Sequence, residues 1–222
     1  PDDMYDEFGA DTFRVYEMSM GPLDLSRPWN TRDVVGSQRF LQRLWRLAVS
    51  EDTGECVVSD AEPSVETLRA VHKTIDAVSA DMDHMRFNTA IARLIELVNH
   101  LTKVAGESGG APRSAVEALV LMVPPFAPHL AEELWAKLGH DESLARASYP
   151  VADPQYLVAD AVTCVIQVKG KVRHRIEVDP EISAEDLEKA VFAEERVQKL
   201  IEGHEVRKVI VREPKLVNLV LS

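Results

Sequence analysis

The sequence predicts a mainly α fold, in which an antiparallel helical bundle is followed by a small α+β domain of order ββααββ. Three observations lead to this prediction. Apolar residues recur at helical spacing through the first two thirds of the chain, and beyond Ala159 they alternate with period two, as in strands. Pro150 and Pro154 mark a linker between the two patterns. We therefore expect a bundle domain over residues 1–154 and an α+β domain over residues 155–222.

The bundle is organised around the proline corner, which we define as residues 123–128 with the sequence VPPFAP. Proline has no backbone N–H and clashes with the preceding helical turn, so one helix must end near Val123. A second helix can begin with Pro128 in its first turn, and Gly139 supplies its end. The apolar stripe of this second helix consists of Leu130, Leu134, Trp135 and Leu138.

Similar stripes predict the helices that precede the proline corner. The first predicted helix covers the N-terminal segment and is interrupted near Gly9, and the second runs from about Asp33 to Val49. Three more helices begin at Ser64, after Phe87 and at Pro112. Short loops join these helices, as is typical of an antiparallel bundle. The acidic segment from Glu51 to Glu62 has no periodicity and is predicted to be a loop, to which we assign no role.

The α+β domain is predicted from alternating apolar residues that are separated by turn signals. Its elements are a strand over Val162–Val168, a turn at Lys169-Gly170, a strand to Val178, two helical pieces after Ser183, and strands over Val206–Val211 and Leu216–Leu221. A domain of about 65 residues lies near the lower size limit for independent folding.

Charge is distributed unevenly along the chain. The net charge is −12, which argues against non-specific binding to nucleic acid. Residues 1–155 carry 14 Lys/Arg against 25 Asp/Glu, whereas residues 156–222 carry 11 against 12. No apolar run approaches the roughly 18 residues of a membrane helix. The two cysteines, Cys56 and Cys164, have no metal-ligand spacing and are typical of a reducing cytoplasm.

The strongest local signal is the cationic hairpin, which we define as residues 167–175 with the sequence QVKGKVRHR. Its four cations have the same parity, so they share one surface if the turn does not reverse their direction. No acid lies among them, which suggests an anionic partner. Few aromatic residues accompany them, which favours recognition of the backbone or shape of folded RNA. Cross-strand pairing with Glu177, Glu205 or Glu213 is the alternative. The predicted RNA contacts here are Lys169, Lys171, Arg173 and Arg175, with Arg207 and Lys208 from the last strands, and Arg212 and Lys215 could enlarge the patch.

A second set of cations lies on the helix over Asp33 to Val49. Arg39, Arg43 and Arg46 follow one another at i, i+4 and i+7, so they form one exposed stripe. Two interpretations carry equal weight. The stripe is either a ridge that contacts phosphates through bidentate guanidinium groups, or a solvated face that pairs with acids of the bundle.

The sequence contains little that could carry catalysis. It has no glycine loop for phosphates and no nucleophile–base pair at an informative spacing. His129 and Glu132 lie at helical spacing. A third interpretation of the chain is therefore a metal hydrolase site formed by His129, Glu132 and Glu133. A metal site needs about three protein ligands, and no third is evident nearby, which favours a hydrogen-bonded histidine. We predict no catalytic residue and no metal ligand.

Several segments resemble the bacterial leucyl-tRNA synthetases, a family of class Ia aminoacyl-tRNA synthetases. Those of the bundle are GADTFRVYEM over residues 9–18, FNTAIA over 87–92, and PFAPH over 125–129 with EELW over 132–135. The tail resembles this family through QVKGKVR over 167–173, VRKVI over 206–210 and LVNL over 216–219. The tail has neither the coiled coil of valyl enzymes nor the cysteine-rich zinc module of isoleucyl enzymes. Lys169 stands where an asparagine is common in the family, and His174 replaces a smaller residue.

The resemblance implies a C-terminal fragment that follows the ATP-binding lysine loop. Its bundle would be the anticodon-binding type, and its small domain would reach the outer corner of tRNA, where the D and T loops meet. The fragment would position tRNA(Leu) for ATP-dependent leucylation and editing by upstream domains, without a catalytic site of its own. ATP and Mg²⁺ are expected in the missing catalytic domain, and a cytoplasmic monomer is expected. The alternative is a non-catalytic protein-interaction module built on a helical bundle scaffold.

Overall fold

The structure is a computed structural model that describes residues 2–158, 162–180, 182–204 and 206–221. The chain divides into two compact units, Pro1–Leu157 and Val158–Ser222. In the described part of the chain, no helix has both the length and the apolar character needed to cross a membrane.

The first unit consists of helices joined by short loops. They are α1 (Asp2–Phe8), α2 (Ala10–Ser19), α3 (Thr31–Ala48), α4 (Val65–Asp83), α5 (Phe87–Ser108), α6 (Arg113–Met122) and α7 (Pro128–Lys137), followed by two 3-10 turns at Leu144–Arg146 and Pro154–Tyr156. Side chains that favour helix ends lie at the expected positions. Asn30 caps α3 and Ser64 caps α4 through their side-chain oxygens, and Gly109 ends α5 in the left-handed conformation.

One hydrophobic core lies between these helices and includes the proline corner. Phe126 of the corner is fully buried, and so are the apolar residues that the helices direct inward. Large members of this core are Phe40, Leu44, Ile91, Leu94, Leu119 and Leu134. Their 3-4 spacing along each helix explains why the sequence forms a bundle.

Helix α2 holds the proline corner in place. Arg14 donates from Nε to the carbonyl of Phe126 (3.2 Å) and from Nη2 to the carbonyl of Pro125 (2.8 Å). Asp11 accepts the backbone N–H of Leu130 at 2.7 Å, and its other oxygen lies 2.8 Å from Nδ1 of His129. These groups have no helical partner, because the corner prolines interrupt the helical hydrogen-bond pattern. Asp11 therefore caps α7 from another helix.

The end of the first unit packs on α4. The ring of Tyr156 stacks on His72 with centroids 4.8 Å apart, and the N–H of Asp153 donates to Nδ1 of His72 at 3.0 Å. Because of these contacts, residues 155–157 belong to the first compact unit, whereas the sequence pattern places them in the second domain.

The second unit is a four-stranded sheet with two helices. Its elements are β1 (Val162–Val168), β2 (Lys171–Val178), α8 (Ala184–Ala193), α9 (Glu195–Ile201), β3 (Val206–Arg212) and β4 (Leu216–Leu221). The strand order is β2-β1-β4-β3, with β1 parallel to β4 and the other pairs antiparallel. Leu187, Val191 and Val197 from the helices share a buried cluster with Cys164, Ile166, Val217 and Leu219 of the central strands.

The prediction of a mainly α fold is wrong. The sequence pattern indicates two strand pairs after a bundle, but the parallel pairing of β1 with β4 joins these pairs into one mixed sheet. That sheet has its own hydrophobic core, so the chain combines an all-helical unit with an α+β unit. Period-two alternation identifies strands, but it contains no information about which strands pair or in which direction.

We predict that Asp11→Ala lowers the free energy of unfolding by about 1–2 kcal/mol, because the N–H of Leu130 loses its cap. Urea denaturation measures the change. The control is Asp76→Ala, which removes an exposed carboxylate from α4 and should change stability by less than about 0.5 kcal/mol. Equal effects of the two substitutions would contradict the capping role.

Candidate nucleic-acid interface

The cationic hairpin turns on two residues with positive φ. Lys169 has φ 51° and Gly170 has φ 76°, the combination of a type I′ turn, whose twist matches that of the flanking strands. The N–H of Lys169 donates to the carbonyl of Leu219 at 2.9 Å, and the N–H of Gly170 donates to Oδ1 of Asn218 at 3.3 Å. The turn is therefore anchored to β4.

A β-bulge separates the cations of the hairpin. Ile166 pairs with His174, but Gln167 pairs with Val172, so Arg173 is the extra residue of the bulged strand. As a result Arg175, opposite Val165, has the parity of the uncovered face, whereas Lys171 lies opposite the buried Val168. The expectation that all four cations share one surface is wrong, because the bulge shifts the parity within β2.

A second bulge occurs in β3. The register shifts between Val206 and Lys208, so Arg207 is the extra residue there. Lys208 pairs with Val220 and Arg212 pairs with Leu216, and both pairs lie on the side of the sheet away from the helices. The basic residues thus lie on both outer strands of the sheet, and each of these strands contains one bulge.

The side of the sheet away from α8 and α9 contributes no residue to the buried cluster of this unit, as far as its described residues show, and we call it the open sheet face. One row across the strands reads Arg175, Val165, Leu216, Arg212, and the next reads Val172, Gln167, Asn218, Ile210. Val172 is 48% exposed and Ile210 is 36% exposed. The centre of the face is thus aliphatic and amide, and cations lie on the two outer strands, where they can contact phosphates on either side. The residues of the face are Thr163, Val165, Gln167, Val172, Arg175, Glu177, Lys208, Ile210, Arg212, Leu216, Asn218 and Val220, so one acid, Glu177, lies on the same face as the cations.

Two of the three predicted cross-strand acids, Glu177 and Glu213, do not pair with these cations within the described ranges. Glu177 lies opposite Thr163, and neither Glu177 nor Glu213 forms an ion pair with any residue in the described ranges. Glu205 lies outside the described residues. His174 is the hairpin residue that faces an acid, with Nε2 3.6 Å from a carboxylate oxygen of Glu194.

The three arginines of α3 have different surroundings. Nε of Arg46 lies 2.8 Å from Glu51, and this hydrogen bond raises the pKa of Arg46. Arg43 is half-buried and donates from Nη1 to Asn99 at 2.7 Å. Arg39 is exposed and makes no hydrogen bond or ion pair with the part of the chain that the structure describes. Of the stripe, Arg39 alone presents a guanidinium group without a protein partner in that part.

His129 and Glu132 take part in contacts that fix loops. Glu132 accepts the hydroxyl of Ser143 at 2.7 Å and the N–H groups of Leu144 and Ala145 at 3.0 and 3.2 Å. The hydrogen bond from Ser143 and then that from Leu144 lower the pKa of Glu132. His129 contacts Asp11. Across residues 2–158 and the described parts of the second unit, no three His, Cys, Asp or Glu side chains are grouped so that they could hold a metal ion.

The sequence patterns do not predict one cluster of an acid and two arginines. Asp81, at the end of α4, is buried and receives hydrogen bonds from Nε of Arg86 (2.9 Å) and Nε of Arg93 (2.7 Å). We call these three residues the arginine clamp. The signal that could have found it is an acid followed by two arginines across a helix–helix turn, a pattern that is visible in the sequence.

Comparison with known proteins identifies the family. The sequence profile described as "Anticodon-binding domain of tRNA ligase" matches residues 66–189, more than half of the chain. The chain belongs to this family. The match to the anticodon-binding family begins in α4 and ends in α8, so it includes the arginine clamp, the proline corner and the cationic hairpin.

Several relatives can be aligned with this chain over nearly its whole length. The leucine–tRNA ligase of Streptomyces avermitilis is 60% identical over 222 residues, which is 100% of this chain and 23% of the relative. That of Bifidobacterium adolescentis is 56% identical over 220 residues, or 99% of this chain and 22% of the relative. The chain thus spans about a quarter of the length of the curated relatives it matches.

A solved structure has the same fold. The crystal structure of the ternary complex of Agrobacterium radiobacter LeuRS with tRNA and LeuAMS matches with a TM-score of 0.79 and 24% sequence identity. The match covers 100% of this chain and 29% of that chain, so both compact units have counterparts there.

We predict that Lys169→Asn raises the free energy of unfolding by about 0.5–1 kcal/mol, because asparagine tolerates the left-handed conformation better than lysine. Thermal and urea denaturation measure the effect. Lys171→Asn is the matched control, since it removes the same charge from an extended strand residue. A stability gain that is no larger for Lys169→Asn than for Lys171→Asn would contradict the turn assignment.

We predict that Glu132 makes the stability depend on pH. Its folded pKa lies below the ordinary 4.5, so its contribution is complete above the unfolded value and is lost as the pH falls through the lower folded value. Glu132→Gln should therefore destabilise the chain at pH 7 and differ less from the parent near pH 3. The control is Glu133→Gln, at the exposed neighbouring position. A pH-independent difference between parent and Glu132→Gln would contradict the assignment.

Proposed function

We propose that this chain is the tRNA-binding C-terminal portion of a leucine–tRNA ligase. It would position tRNA(Leu) while ATP-dependent leucylation and editing take place in domains outside the chain. The observation that carries this proposal is the identity of about 60% to leucine–tRNA ligases over both compact units, the open sheet face included. The chain itself would contribute orientation rather than a reacting group, because a correctly held substrate needs less entropy loss in the chemical step.

The proposed contacts are the basic residues of the second unit. Arg175, Lys208 and Arg212 would bind phosphates at the two outer strands, and the aliphatic centre would pack against sugars. Lys169, Lys171, Arg173 and Arg207 lie at the turn and the bulges and extend this surface. In the bundle, Arg39 would contact phosphate directly, whereas Arg43 and Arg46 must first leave Asn99 and Glu51.

The proposal places the chain within a larger enzyme. ATP and Mg²⁺ would bind in the catalytic domain. The upstream catalytic and editing domains would be its partners in one monomeric enzyme. A cytoplasmic location is supported by two free thiols, an exposed one on Cys56 and a buried one on Cys164.

The second candidate is a protein-interaction module. The observation in its favour is the pair of exposed aliphatic side chains on the open sheet face, Val172 on β2 and Ile210 on β3. Binding to a tRNA(Leu) transcript folded with Mg²⁺, compared with the same transcript unfolded, separates the two candidates. Equal or absent binding to the two forms would favour the interaction module.

We predict that replacing Arg175, Lys208 and Arg212 together by glutamine raises the Kd for a tRNA(Leu) transcript about tenfold or more. It should also reduce the slope of log K against log salt, by roughly 0.7–0.9 for each phosphate that is no longer neutralised. Fluorescence anisotropy at several salt concentrations gives both quantities. The control replaces Lys73, Lys103 and Lys137, three exposed bundle cations, by glutamine. Equal effects of the two triple variants would mean that binding depends only on the net charge of the chain, and this would overturn the assigned surface.

A further inference from the structure

We propose that the arginine clamp is a phosphate-binding site on the bundle, and that it binds a phosphodiester group of folded RNA through Arg86 and Arg93. The inference deepens the proposed function and rests on it. It adds an RNA contact in the first compact unit to the one proposed there for Arg39.

The buried carboxylate of Asp81 holds both arginines of the clamp in place. The side chain of Asp81 is 2% exposed, and each of its oxygens accepts one Nε–H, from Arg86 on one side and Arg93 on the other. The backbone N–H of Arg86 also donates to the carbonyl of Asp81 at 2.8 Å. With hydrogen bonds of this length to the same carboxylate, the two Nε atoms lie within about 8 Å of each other. Two long side chains are therefore ordered before any ligand arrives.

The outer ends of both guanidinium groups remain available. The side chains of Arg86 and Arg93 are 52% and 41% exposed, whereas the carboxylate between them is buried. Within the described ranges, neither arginine makes another side-chain hydrogen bond, so the Nη atoms have no protein acceptor there. Guanidinium N–H groups match the oxygens of a phosphate in a bidentate fork, which makes phosphate the fitting acceptor.

The charge of the cluster also points to an anion. One carboxylate would be neutralised by a single arginine, but Asp81 is shared by two, which leaves an excess of one positive charge. This excess lies at the start of the 22-residue helix α5, whose first turn contains no acid. A local cation in a strongly acidic bundle is a position where a polyanion can approach.

The alternative is that Arg86 and Arg93 only hold α4 and α5 together. A conservative double substitution distinguishes this structural role from a phosphate site. The double variant Arg86→Lys/Arg93→Lys retains both charges and allows Nζ to reach Asp81, but it removes the Nη donors. For the phosphate site, the Kd for a folded tRNA(Leu) transcript should rise about fivefold while the melting temperature changes little. An unchanged Kd in a folded variant would overturn the site.

Arg113→Lys is the matched control for this substitution. Arg113 also pairs through Nε with a carboxylate, that of Asp60 at 2.6 Å, but its Nη1 donates to the carbonyl of Leu138 at 2.8 Å. Its outer end is thus used within the protein, and its replacement should leave the Kd unchanged. A rise in Kd as large as that of the double variant would also overturn the site.

A measurement on the unmutated chain avoids any effect of substitution on folding. The Nε–Hε resonances of Arg86 and Arg93 are followed by ¹⁵N NMR while the tRNA(Leu) transcript, or inorganic phosphate alone, is added. Both resonances should shift on addition of tRNA, and weaker shifts in the same direction are expected with phosphate. Unshifted resonances at saturating tRNA would overturn the site.

The outcomes separate this inference from the function on which it rests. If the parent chain does not bind the transcript, the proposed function fails and the phosphate site fails with it. If the parent binds and the triple variant of the open sheet face weakens binding, while the arginine-to-lysine variant binds as tightly as the parent, the phosphate site alone fails.

Discussion

The bundle depends on hydrogen bonds that join α2 to the proline corner and to the start of α7. The proline corner turns the chain sharply, and its prolines leave carbonyl and N–H groups that no helical neighbour can pair. Arg14 and Asp11, more than a hundred residues away in sequence, provide the missing partners. Since unpaired buried polar groups are costly, α6 and α7 reach their full stability only when α2 is in place. The helices on either side of the corner thus form one cooperative unit with the start of the chain.

Much of the bundle could be predicted from the sequence, because helical periodicity reports which face of a helix is buried. The corner, the helix that begins at Pro128 and the caps at Asn30 and Ser64 follow from local rules. The contacts of Asp11 and Arg14 could not be predicted, because they join residues that are distant in the chain. The same reason explains why the pairing of β1 with β4 could not be predicted.

The candidate site was predicted in its composition but not in its geometry. The basic residues of the hairpin were evident, and the structure adds the bulges at Arg173 and Arg207 that redistribute them. A bulge depends on a single extra residue in the pairing of two strands, which parity within one strand does not reveal. Asp81 was overlooked for a related reason. A charged residue in an amphipathic pattern is expected in solvent, and only the approach of two arginines explains its burial.

The sheet of the second unit is packed on one side only. Its core is formed with α8 and α9, and the residues of the opposite side contribute little to that packing. Folding and recognition are therefore assigned to different surfaces of the same four strands. Substitutions on the uncovered side can alter what the unit binds without requiring compensating changes in its interior, so related chains can diverge in affinity while they retain a common architecture.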